Sequence, residues 1–345
     1  MNRLITASLL AVLCFAGCAP KEGGGATPSD QPSSADSGAI TAGKWTILDT
    51  RTDMADRARA KQNAEDALIK ESDLACLVGL WSYNGPAILS AVQSAGKVGQ
   101  VKIVCFDEEE DTLQGVIDGA IYGTVVQQPY QFGYDSVRVL TALAKGDKSV
   151  VPEGGVLDIP TVSLRKDDAQ AFWDELKQRL VAGATPAVAP DAVKIAFVTN
   201  NVSDFWKIAR AGVEKASAEF GAVCEFHMPA DGTPSEQQRI VEALVAKGMS
   251  GMAISPIDPE NQTQMLDSAA EKMNVVTQDS DAPASKRLCY IGTNNYKAGR
   301  EAGKLIKEAL PDGGKIMLFV GRLDAQNAKE RRQGIIDELS DKPMP

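Results

Sequence analysis

From Trp45 onward the chain alternates between short runs that are apolar at nearly every position and longer stretches whose apolar residues recur at three- and four-residue spacing. The first pattern predicts strands buried on both faces, the second amphipathic helices. Strands are predicted at Trp45–Leu48, Leu74–Leu80, Val101–Phe106, Ile121–Val126, Val193–Thr199, Val223–Met228, Met252–Ser255, Asn274–Thr277, Leu288–Ile291 and Lys315–Val320. Helices are predicted between them, among them Asp56–Lys70, Tyr130–Ala144, Phe205–Phe220, Tyr296–Leu310 and Ala325–Leu339. Thr233-Pro234-Ser235-Glu236 has the spacing of a capping box with proline at the first helical position, and Asp258-Pro259 repeats the cap-then-proline order.

Apolar strands separated by helices imply an α/β architecture of parallel sheets covered on both faces. Ten strands and a hinge segment near Val156–Leu164 exceed one small sheet, so the chain is expected to form two doubly wound parallel-sheet lobes joined by a hinge. Such sheets bind ligands at the carboxyl ends of their strands. The polar residues that follow each strand are therefore the candidate functional positions.

The start of the chain reads differently. Met1-Asn2-Arg3 carries a positive charge and precedes an apolar run from Leu4 to Ala16. That run is shorter than the roughly 20 residues a membrane-spanning helix needs, and it matches a secretory signal. Phe15-Ala16-Gly17-Cys18 resembles a bacterial lipobox, which makes residues 1–18 a lipoprotein signal and Cys18 the lipidation site. Residues 19–44, rich in Gly, Ser, Pro, Ala and Asp, read as a flexible tether. The expected location is extracytoplasmic, in the periplasm or at the cell surface, with the anchor in the membrane.

Composition narrows the function. The 345 residues carry 36 Lys and Arg against 46 Asp and Glu, a net charge of −10. Nucleic acid and anionic lipid both call for a basic surface, so neither is expected as a partner. His227 is the single histidine, which argues against histidine zinc sites and Ser-His-Asp triads. Cys76, Cys105, Cys224 and Cys289 lie in apolar runs without CxxC spacing and read as buried free thiols. Glu108-Glu109-Glu110-Asp111 lacks the alternation and glycine of a calcium loop and reads as a solvated loop and helix start. No glycine-rich nucleotide motif is present, and no cofactor or metal is expected.

Several segments together resemble the type I periplasmic sugar-binding proteins, the ribose-binding-protein-like group that serves ABC importers. They are Ile195-Ala196-Phe197-Val198 with Ser203-Asp204-Phe205-Trp206, Ile254-Ser255-Pro256, Gln278-Asp279-Ser280-Asp281-Ala282-Pro283, Tyr290-Ile291-Gly292-Thr293-Asn294-Asn295 and Ala328-Lys329-Glu330-Arg331-Arg332-Gln333-Gly334. In that family the segment like 193–340 comes first and the segment like 45–165 follows. The order here is reversed, which resembles a circular permutation. The resemblance implies discontinuous lobes. Residues 45–127 plus 294–345, with the hinge strand 157–164, form the lobe that is usually C-terminal. Residues 128–156 plus 193–293 form the lobe that is usually N-terminal. Residues 165–180 resemble the family's terminal helix, and 181–192 is the joining linker.

A sugar presents hydroxyls around a rim and C–H faces above and below, so it calls for bidentate polar groups and flat aromatics. The resemblance implies that at least one of Phe205 and Trp206 stacks on the ligand, the alternative for either being the core of its helix, and that Asp279 and Asp107 accept hydroxyls. It further implies that Arg331 reaches the cleft and that Gln127, at the hinge crossing before Pro129, binds ligand. Asp281 follows closely on Asp279, and Asn294 or Asn295 adds an amide. Ser203, Ser255 and Trp81 stand where ribose binders often carry asparagine, and Ser280 stands where many carry arginine. Tyr83 and Asn84 follow Trp81. These departures point away from ribose itself toward a different or bulkier ligand.

The implied function is capture of a monosaccharide or related polyol between two lobes that close on it, and its delivery to an ABC permease by a monomeric, non-catalytic protein. Two alternatives share these residues: a sensory binding protein that reports to a receptor, and a glycosidase-like enzyme that uses Asp107 and Asp279 as a carboxylate pair. A repressor of the lactose type shares the core but would carry a DNA-binding segment in place of the signal and tether.

Overall fold

The computed structural model describes residues 38–181 and 191–345. Cys18, most of the expected tether and most of the expected linker lie outside the described residues. The first half contains β1 (Ile40–Ala42), β2 (Trp45–Thr52), α1 (Arg57–Lys70), β3 (Leu74–Gly79), α2 (Asn84–Ser94), β4 (Lys102–Phe106), α3 (Glu110–Asp118), β5 (Gly123–Val126), α4 (Pro129–Ala144), β6 (Val156–Asp158), β7 (Val162–Leu164) and α5 (Lys166–Leu180). The second half adds β8 (Val193–Val198), α6 (Asp204–Phe220), β9 (Ala222–His227), α7 (Pro234–Ala246), β10 (Gly251–Ile254), α8 (Pro259–Ala270), β11 (Asn274–Gln278), β12 (Cys289–Gly292), α9 (Asn295–Ala309), β13 (Gly314–Val320) and α10 (Gln326–Leu339).

These strands form two sheets, in the orders β1-β2-β13-β3-β4-β5-β7 and β6-β12-β11-β10-β8-β9. Every pair of the second sheet is parallel. In the first sheet only the edge strands β1 and β7 run antiparallel. The last strand of the chain, β13, inserts between β2 and β3. Helices cover both faces of each sheet, and apolar clusters lie on either side of each. A smaller cluster joins Leu113, Val126 and Leu164 on the first sheet's side to Leu176 of α5 and Ile208 of α6.

Local chemistry accounts for the element starts. Thr233 Oγ1 accepts from the Glu236 backbone N–H at 3.3 Å, as a capping box requires. The Glu236 carboxylate reaches instead to the backbone N–H groups of Ala230 and Asp231. Asp258 caps α8 by accepting from the Asn261 N–H.

The chain passes between the sheets at Gln127-Gln128, at Ile159–Thr161 and at Thr293-Asn294. These crossings bond to one another. Gln128 Nε2 donates to the Pro160 carbonyl at 2.8 Å, and Thr293 Oγ1 donates to the Ile159 carbonyl at 3.1 Å. The Asn294 N–H donates to Asp158 Oδ1. Three short crossings, laced to one another, form the hinge that joins the lobes.

The structure departs from the sequence expectation in three places. Ile40–Ala42, assigned to the tether by composition, forms an edge strand: a two-residue Gly43-Lys44 turn with Gly43 at φ 60° pairs Ala42 with Trp45. The single hinge segment Val156–Leu164 is two strands in different sheets, parted at Pro160, which has no N–H to extend a ladder. Glu108 and Glu109, expected in a solvated loop, are buried. Cys76, Cys105 and Cys289 are buried and Cys224 is half-buried, all with free thiols; burial pushes the Cys76 and Cys105 thiols up to about 12.

Candidate functional site

A narrow cavity of about 30 Å³ lies where the carboxyl ends of the two sheets meet. From the first sheet's side it is lined by Trp81, Ser82 and Tyr83 after β3, Asp107 after β4, Gln127 after β5, and Asn327 and Arg331 on α10. From the second it is lined by Asn200, Asn201, Ser203, Phe205 and Trp206 after β8, and by Asp279 after β11. The lobes are closed over it. Asn327 Nδ2 lies 3.4 Å from Asp279 Oδ2, and two ion pairs, Lys329–Glu260 at 3.2 Å and Arg57–Asp204 at 3.7 Å, also cross between the lobes.

The two carboxylates occupy matching positions. Asp107 and Asp279 each end a strand in the left-handed region, at φ 71° and 59°, a conformation that aspartate tolerates better than most side chains. Asp107 Oδ1 accepts from Gln127 Nε2 at 2.7 Å, while its own backbone carbonyl accepts from Thr124 Oγ1. Asp279 Oδ2 accepts from Ser255 Oγ at 2.9 Å and faces the Asn200 amide at 3.4 Å. Burial raises Asp107 to about 7; the nearby Arg331 charge and the Gln127 hydrogen bond oppose the rise. Burial likewise raises Asp279, against the pull of Arg331 and Ser255.

Arg331 is 1 % exposed. Its Nε donates to Asn295 Oδ1 at 2.9 Å and its Nη1 to the Leu80 carbonyl at 2.6 Å. The guanidinium lies over the Phe106 ring, 4.6 Å from the centroid. Its Nη2 stands 4.0 Å from Asp279 Oδ1 and is buried without a hydrogen-bond partner. Gln127 Oε1 and Asn201 Oδ1 are likewise buried and unpartnered. The cleft thus offers one free donor and two free acceptors beside two carboxylates.

Aromatic groups frame these polar atoms. Trp81 Nε1 donates to Asn327 Oδ1 at 3.3 Å, and Trp206 Nε1 donates to Asn200 Oδ1 at 3.1 Å. Phe205 stands perpendicular to Trp206, with centroids 4.8 Å apart. Tyr83 donates its hydroxyl to the buried Asp53, which also accepts from Asn84 Nδ2 at 3.0 Å. Burial raises Asp53 to about 6, against these hydrogen bonds. Ser82 and Arg57 both donate to Glu109, which braces this wall from outside the cavity.

Of the residues singled out from sequence, Trp81, Asp107, Gln127, Ser203, Phe205, Trp206, Asp279 and Arg331 come together around the cavity. Three do not line it. Ser255 lies behind Asp279 and spends its hydroxyl on that carboxylate. Asp281 points away, where it accepts from Thr277 and pairs with Arg287, whose Nη2 is 2.6 Å from Oδ2. Asn294 caps α9 by accepting from the Lys297 N–H, and its neighbour Asn295 turns inward to hold Arg331. Sequence reasoning missed Asn200, Asn201 and Asn327. The first two follow β8 directly and carry the signal that picked out the other positions; Asn327 sits inside α10, where its composition gives no signal.

A family model described as the periplasmic binding protein domain matches residues 33–148 and 195–344. The ribose import binding protein of Haemophilus influenzae is 24% identical over 155 residues, 45% of this chain and 52% of that protein. The D-ribose/D-allose-binding protein of Pseudomonas aeruginosa is 23% identical over 173 residues, 46% of this chain and 54% of that one. The chain thus spans about half the length of the curated relatives it matches. Among solved structures, an ABC transporter solute binding protein of Burkholderia graminis in complex with D-arabinose is 29% identical, with a TM-score of 0.43 over 46% of this chain and 54% of that one. The two matched segments take in most strands of both sheets and every residue that lines the cavity, and the chain belongs to the periplasmic binding protein domain family.

Proposed function

We propose that this protein is an extracytoplasmic solute-binding protein that captures a monosaccharide or related polyol between its lobes and passes it to an ABC permease. The observation that carries this reading is the set of buried, unpartnered polar atoms around the cavity: Gln127 Oε1, Asn201 Oδ1 and Arg331 Nη2. A polyhydroxylated ligand supplies donors and acceptors to all three and donates to Asp107 and Asp279. Trp81, Phe205 and Trp206 offer apolar surface to its C–H faces. A ligand without those hydroxyls would leave buried groups unpaired, at about 1–3 kcal/mol each, and this is the source of specificity.

The curated relatives named above bind ribose or allose by their names, which supports a sugar of this size class. In this reading the protein acts as a monomer, and a lipid on Cys18 holds it at the membrane beside the permease. In this reading the two halves of the chain stand in permuted order, a reading the insertion of β13 between β2 and β3 supports. A thermal-shift screen against pentoses, hexoses, polyols and inositols tests the proposal. Ligand at about 100 times its Kd adds about 2.7 kcal/mol, a shift of several degrees. A cooperative melt unmoved by every sugar and polyol overturns it.

A further inference from the structure

A second cavity, of about 660 Å³, opens beside the hinge and shares no lining residue with the first. Successive residues face the two: Asp107 and Gln127 line the cleft, Glu108 and Gln128 the second groove. Glu108 is 3 % exposed, and its Oε2 has no hydrogen-bond partner. Burial holds its carboxyl well above the usual range, and the Asp107 charge adds to this. Across the groove α5 presents Asp167 and Asp168, which have no cationic partner among the described residues, and Glu175, which is paired with Arg179 at 2.6 Å. Tyr130 and Phe172 supply the apolar walls.

This chemistry selects against most occupants. Asp167 and Asp168, without ion-pair partners among the described residues, repel anions. Among the described residues no three acidic, histidine or cysteine side chains converge to hold a metal ion, and the volume far exceeds what a bare cation fills. A buried carboxyl oxygen without a partner is costly, and an ammonium group brought to it supplies the missing donor and favours the ionised form. We propose that the groove is a second ligand site, which takes a small organic ammonium ion with its charge at Glu108 and its apolar body between Tyr130 and Phe172. An occupant there contacts Gln128 and β7, both part of the hinge, so its binding bears on closure of the sugar cleft.

Calorimetric titration of the full chain with benzylamine at neutral pH tests this, with benzyl alcohol as the uncharged probe of the same shape. Benzylamine is expected to bind saturably and at least about tenfold more tightly than the alcohol, the scale of one charge-assisted hydrogen bond. Glu108→Gln, which keeps the shape of the groove, is expected to remove that preference, and Phe172→Ala to weaken benzylamine in a chain whose Glu108 is intact. Asp279→Ala, in the other cavity, retains saturable benzylamine binding and the preference over the alcohol. Absence of saturable binding, equal binding of the alcohol, or loss in Asp279→Ala but not in Phe172→Ala overturns the proposal. The wild-type comparison of the two probes decides even if Glu108→Gln does not fold.

Discussion

At the scale of single residues the cleft depends on charges that the fold has stripped of water. Asp279 is held by Ser255 and faces Asn200, Asn327 and Arg331, so its carboxylate is oriented before any ligand arrives. Asp279→Ala is expected to weaken sugar binding about tenfold or more, since each hydrogen bond to a charged group is worth about 1.5–3 kcal/mol; calorimetric titration with the best ligand from the screen reads it. Arg331→Lys is not conservative here. Lysine cannot reach Asn295 and the Leu80 carbonyl with a rigid fork while lying flat on Phe106. It is expected to cost about 2–4 kcal/mol of stability in urea unfolding, the range for disturbing a buried, partnered charge. The same detail shows where sequence stops being legible. Asp107, Gln127 and Asp279 are legible because they follow strands and stand in segments that resemble the family's. The left-handed turn at Asp279 sends Asp281 to Arg287, and capping of α9 turns Asn294 outward and Asn295 inward. Those are choices of backbone dihedral, which residue type alone does not set.

Elements were more legible than residues because each strand and helix repeats its pattern many times over. All ten predicted strands exist, with ends moved by a residue or two at most positions. The short strands β1, β6 and β7, three residues each, were missed or merged because they are too brief to show a period. What periodicity cannot convey is how closely two helices pass. In α4 and α6 a Cβ at Gly133 would overlap the Ala209 carbonyl, and one at Gly212 would overlap the Tyr130 carbonyl. The two helices meet backbone to backbone, on the same sheet face that Phe132, Phe197 and Trp206 fill. Gly212→Ala would ordinarily favour a helix. Here it must push α6 away from α4, and it is expected to cost about 1–3 kcal/mol, as other overpacking changes do. Thermal melts of the ligand-free protein check it, with Gly96→Ala, in a turn with open space but φ 65°, as the purely conformational comparison.

The molecule as a whole is shown closed over a cavity that buries two carboxylates, and that has a consequence for pH. Asp107 rises to about 7, well above the ordinary carboxylate range, because burial removes its water, and Asp279 rises for the same first reason. In an opened cleft these groups regain solvent and return toward ordinary values. Between about pH 4 and 7 the closed form therefore binds a proton at Asp107 that the open form has released. The favourable contribution is complete below the ordinary carboxylate range and is lost as pH rises through 7. At about 1.4 kcal/mol per pKa unit this amounts to a few kcal/mol, enough to move a two-state equilibrium across its midpoint. Ligand-free protein is accordingly expected to be more compact at pH near 5 than near 8, read as a smaller radius of gyration in solution scattering. Asp107→Asn, uncharged throughout, should flatten much of that dependence. A sugar that donates hydroxyls to the ionised carboxylates replaces the lost water and closes the cleft at high pH as well, so with ligand present the radius should be small at both values. If the ligand-free protein is equally compact at both, the burial of these acids is a fixed feature of one rigid body, and the hinge crossings at Gln128, Pro160 and Thr293 do not open.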